Sequence, residues 1–76
     1  MNKARREQLA ELAGKLEDIK NEIETLRDEE QDYFDNMPEG LQGADKGAAA
    51  EEAVRNMDDA ISCIDDAVSL INDAAN

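Results

Sequence analysis

The chain of 76 residues has no histidine and no tryptophan, one cysteine, one proline and only two aromatic side chains, adjacent at Tyr33 and Phe34. Without histidine, a serine or cysteine nucleophile lacks its usual base, and the histidine-containing zinc and di-iron helix motifs cannot be written. The sequence therefore nominates no catalytic residue, cofactor site or metal site, and an enzyme is not expected. Cys63, the single cysteine, has no partner for a disulfide within the chain and reads as a small apolar packing residue. A chain without a disulfide framework fits a reducing compartment. The opening MNKARREQLAEL has basic residues but no apolar run or cleavage site, so a cytoplasmic location is expected. No apolar run is longer than Ala48 to Ala50, far short of a membrane span.

Positive charge is also scarce. Eight basic residues stand against 20 acidic ones, a net charge of −12. Such a surface repels phosphate backbones, which argues against direct nucleic-acid binding and favours a basic protein as partner. The plainer reading is that acidity keeps exposed helix faces solvated. Carboxylate groups such as Asp28, Glu29, Glu30 and Asp32, or Asp65 and Asp66, lack the alternating spacing of a calcium loop. Gly40, Gly43 and Gly47 have turn spacing, not that of a phosphate-binding loop.

What the sequence does contain is heptads. From residue 53 to 73 three consecutive sevens read AVRNMDD, AISCIDD and AVSLIND. Apolar residues at alternating gaps of three and four keep one helix seam against a partner. In the first segment Leu9, Leu12, Leu16, Ile19, Ile23 and Leu26 follow the same rule, with Leu9 at position a and Leu12 at position d. The pattern predicts a helix over about residues 3–35, a turn over 36–44 and a second helix over about 45–75, one helical-hairpin domain spanning 1–76. Pro38 forbids continuation of the first helix, and NMPEGLQG supplies turn residues. Asp45 is expected as the N-cap of the second helix. Gly47 reads as merely tolerated there.

The fold class is thus all-α, an antiparallel, coiled-coil-like two-helix hairpin. A turn this short makes antiparallel neighbours the default. Centring it pairs Leu26 with Val54, Ile23 with Met57, Ile19 with Ile61, Leu16 with Ile64, Leu12 with Val68 and Leu9 with Ile71 as the hairpin core. Lys20 and Arg27 at e then flank Asp58 and Asp65. Ala53, Ala60, Ala67 and Ala74 all fall at g, with Cys63 and Leu70 beside them at c. This strip is surplus to the hairpin, and it is the expected interface through which a dimer forms a four-helix bundle. Alternatively the alanines serve only as good helix formers in a monomer. A domain this small gains from an oligomeric partner when disulfides and metals are excluded.

Around the turn, apolar Tyr33, Phe34, Met37 and Leu41 interleave with acidic Asp32, Asp35 and Glu39. Apolar anchors in an acidic rim suit docking of a basic partner. The same residues equally suit a cap over the end of the hairpin.

At NMPEGLQ and the following Gly-Ala-Asp-Lys-Gly step, set between MNKARR and the AxxxxDD sevens, the chain resembles small acidic helical-hairpin proteins carried by phages and prophages of Gram-positive bacteria. The resemblance implies a mobile-element accessory protein acting in the host cytoplasm through protein–protein binding. Inhibition of a host nucleic-acid-handling or defence protein through the acidic surface follows by analogy. A self-assembling structural or packaging component is the alternative, and sequestration of a small signalling ligand between subunits a third reading.

Overall fold

The computed structural model describes residues 1–76, which form α1 (Lys3–Asp35), a one-turn α2 (Glu39–Gln42) and α3 (Asp45–Ala75). No strand is present. α1 and α3 pack side by side as an antiparallel hairpin measuring 58 × 14 × 12 Å.

α1 begins where Asn2 leaves the helical region and its Oδ1 accepts from the Arg5 N–H at 2.8 Å, satisfying one of the free N–H groups of the first turn. Glu, Lys, Gln, Leu and Ala then dominate for 33 residues, all with good helix propensity. The helix stops just before Pro38, whose ring cannot follow a helical neighbour. The expected turn over 36–44 contains α2, whose first bonds run from the Leu41 and Gln42 N–H groups to the Pro38 carbonyl at 2.8 and 3.1 Å. Gln42 ties this element back to α1, donating from Nε2 to the Phe34 carbonyl at 3.1 Å.

Two details of the turn differ from expectation. The N-cap of α3 is Ala44, with no side-chain bond, and Asp45 is the first helical residue, where its charge favours the helix dipole. Gly47 is buried, and a Cβ there would sit 2.6 Å from the Gln42 Cα and closer still to the Gln42 carbonyl. The turn therefore folds onto α3 only because residue 47 has no side chain.

The largest departure concerns which face of α1 is covered. On α3 the expected seam lies inward: Ile61 and Val68 are buried, and Val54, Met57, Ile64 and Ile71 are half-buried. On α1 the a residues Leu9, Leu16 and Ile23 are half-buried, but Leu12, Ile19 and Leu26 at d stand 49, 47 and 56 % exposed. The e row takes their place, with Ala13 buried and Lys20 and Arg27 half-buried. In helical geometry this turns the contact face of α1 by about 50° from the a/d seam towards a/e. The cause is a combination of size and charge. Ala13 lets the helices approach closely, and the long stems of Lys20 and Arg27 cover apolar surface while their charged heads reach carboxylates on α3. The resulting core is thin: Ala13, Ala50, Ile61 and Val68 are its only buried apolar residues, and no large side chain is fully enclosed.

Candidate interaction surface

Two ion pairs define one flank of the hairpin. Lys20 Nζ lies 2.8 Å from Asp65 Oδ1, and Arg27 Nη1 lies 2.9 Å from Asp58 Oδ1. Moving seven residues forward on α1 matches seven back on α3, so the pairs share one antiparallel register. The hydrogen bond to Asp65 raises the Lys20 pKa above its ordinary value, and bonds to Asp58 and then Asp28 do the same for Arg27. Part of each shift is opposed by loss of hydration.

These pairs locate the other flank by elimination. On α3 the e and g rows lie on opposite sides of the seam, and on α1 the e and d rows lie on opposite sides of a. With the e rows clasped together, the d row of α1 and the g row of α3 share the opposite flank. There Leu12, Ile19, Leu26 and Tyr33 recur every seven residues, about 10.5 Å apart along the axis. A shallow groove of about 340 Å³ opens beside this row at Glu22, Thr25 and Leu26.

The expected alanine strip is accordingly only part of the surface. Ala53, Ala60 and Ala67 are half-buried, whereas Ala74, Cys63 and Leu70 are exposed, Leu70 to 69 %. The alanines are partly covered within the hairpin, and Cys63 faces solvent instead of packing. The large apolar side chains come from α1, from positions that a strict a/d reading assigned to the core. A sequence signal for this existed in the Ala, Lys and Arg of the e row, since small and long-stemmed residues both suit a contact.

The residues of the turn divide into two groups. Phe34 and Met37 are half-buried under the end of the hairpin, and Tyr33 and Leu41 are 52 and 53 % exposed. Tyr33, Asn36, Met37, Pro38, Leu41 and Lys46 line an open depression of about 370 Å³. Asp32, Asp35 and Glu39 are exposed around it, while Lys46, absent from the docking set read from sequence, brings a cation into it.

On the outer face of α3, Glu52, Asp59, Asp66 and Asp73 form an exposed f row bound in no ion pair. No three cysteine, aspartate or glutamate side chains converge in a way that would hold a metal ion. No helix is long and apolar enough to cross a membrane. Comparison with known proteins adds no relative: no protein family, no curated protein and no solved structure matches the chain.

Proposed function

We propose that the chain is a non-enzymatic interaction protein, an accessory of a phage or related mobile element, which works as a homodimeric four-helix bundle and binds a basic protein through its acidic outer faces. The observation that carries the dimer is the apolar flank. Leu12, Ile19, Leu26 and Tyr33 remain about half exposed in a hairpin whose core fully encloses no large side chain. Two hairpins meeting flank to flank bury this row on both copies and give each the larger core that a single hairpin lacks. After such a union the f row of α3 and the outer carboxylates of α1 remain in solvent, so the assembled surface is more acidic per exposed area than the single chain.

A basic host protein that handles nucleic acid, or one engaged in defence, is the class of target suited to that surface. The test is affinity capture with tagged protein in the host, followed by salt titration of any complex recovered. A partner released as ionic strength rises supports the reading; a complex indifferent to salt, or none at all, removes it. Because the apolar flank speaks for self-association before it speaks for any target, a self-assembling structural component is the second reading. It requires a closed assembly and no captured partner.

A further inference from the structure

We infer that the two copies of the dimer lie antiparallel, each placing the basic start of its α1 against the acidic turn of the other. This rests on the dimer reading above and adds the orientation and the occupant of the turn. Three observations carry it: the reach of the apolar flank, its area and the charge polarity of the rod.

The apolar row spans 21 residue steps of α1, about 32 Å, from Leu12 to Tyr33 at the turn, about two thirds of the helix and centred near the middle of the rod. Two rods matched along such a row overlap end to end. A 58 × 14 Å face presents roughly 800 Å² per copy, the amount each partner contributes to a stable standard-size interface. A shorter, staggered overlap would leave Leu12 of one copy or Tyr33 of the other in water. Full overlap leaves two orientations, parallel or antiparallel, and charge separates them.

At the open end of the rod, residues 3–11 of α1 and 69–76 of α3 together carry three cations, Lys3, Arg5 and Arg6, against three carboxylates, Glu7, Glu11 and Asp73, so that end is balanced. Residues 28–46, at the other end of the rod, carry seven carboxylates against one cation, Lys46. A parallel dimer stacks one acidic turn on another, within a Debye length of about 8 Å, where like charges are poorly screened. An antiparallel dimer instead sets Lys3, Arg5 and Arg6 beside the partner's turn, and does so twice by symmetry. The exposed apolar surface of Tyr33 and Leu41, rimmed by Asp32, Asp35 and Glu39, is then covered by the first turn of α1 of a second copy. The basic partner suited to the acidic turn is in this sense the chain itself.

Orientation is read by distance. Gly40 lies in the turn at one extremity, and a Cβ added there meets nothing within 4 Å, so Gly40→Cys in a Cys63→Ser background accepts a spin label without disturbing the fold. Sedimentation establishes the assembly state of the labelled protein, and pulsed dipolar spectroscopy measures the separation between copies. An antiparallel dimer of 58 Å rods holds the two labels on the order of 50 Å apart, whereas a parallel one holds them within about 30 Å, two to three helix diameters. A dimer with the long distance, weakened by Arg5→Glu with Arg6→Glu, supports the inference. A dimer with the short distance overturns the antiparallel orientation and leaves the dimer standing. A monomer at every concentration overturns both.

Discussion

Replacing Ile19 with alanine separates the surface proposed to join two hairpins from the core that closes one. Ile19 lies near the middle of α1 and is 47 % exposed, so about half of its side chain is still to be buried. Full burial of an isoleucine side chain is worth about 1.5–3 kcal/mol, so the uncovered half is worth about 1 kcal/mol in each copy. Symmetry counts the loss twice, and Ile19→Ala should weaken the dimer by about 2 kcal/mol, roughly 30-fold in Kd. The half already covered costs the hairpin about 1 kcal/mol more, partly offset by the better helix propensity of alanine. Sedimentation equilibrium across the micromolar range gives the dissociation constant, and circular dichroism at a concentration well above it reports helix content. The matched control is Ile61→Ala, the same chemical change at a site only 8 % exposed, which should destabilise the fold by about 2–5 kcal/mol. If Ile19→Ala leaves the association constant of the dimer unchanged, or the unaltered chain is monomeric throughout, the d row is not an interface and the reasoning fails.

Other perturbations test the remaining parts of the structure. Leu12→Ala, Ile19→Ala and Leu26→Ala combined should yield a monomer with much of its helix retained, since alanine keeps helix propensity; a persistent dimer would return the interface to the alanine strip. The melting temperature of the unaltered protein should rise with concentration, as required when association is linked to folding, and a concentration-independent value would contradict the dimer. Gly47→Ala drives a methyl group into the Gln42 backbone, so it should loosen α2 from α3 and lower the melting temperature, whereas Gly14→Ala, where nothing lies within 4 Å, should hold or raise it. The Lys20 pKa is raised in the folded state above its ordinary 10.5 by the Asp65 bond. Its contribution to stability is therefore fully present below that value and fades as pH climbs through the raised one. Alkaline titration of the melting temperature should show a decline in that window that Lys20→Met abolishes, and an identical decline in the variant would assign the effect elsewhere.

Much of the fold is legible along the chain because its signals are local. Pro38 stops α1, the heptads of α3 place Ile61 and Val68 inward, and the e-row charges choose the flank on which Lys20 and Arg27 meet Asp65 and Asp58. The first two depend on backbone sterics and periodicity, properties of neighbours in sequence, and the third on charge signs that repeat every seven residues along each helix, although the partners lie 31 and 45 residues apart. The exposure of the d row of α1 was less legible. Position d of a heptad is apolar whether it faces a hairpin partner or a second molecule, so Leu12, Ile19 and Leu26 look the same as core in either case.

The sequence by itself determined that this protein is two long acidic helices joined by a tight turn, because helix propensity, heptad periodicity and the proline stop act within a few residues. Only the tertiary structure decided how α1 is rotated about its own axis. That rotation is set by the sum of contacts between the two helices: the close approach at Ala13, the reach of two long cationic side chains and the room available opposite Ile61 and Val68. A turn of about 50° is small on the scale of one residue step, yet it moves an entire row of large apolar side chains from the inside of the hairpin to its surface.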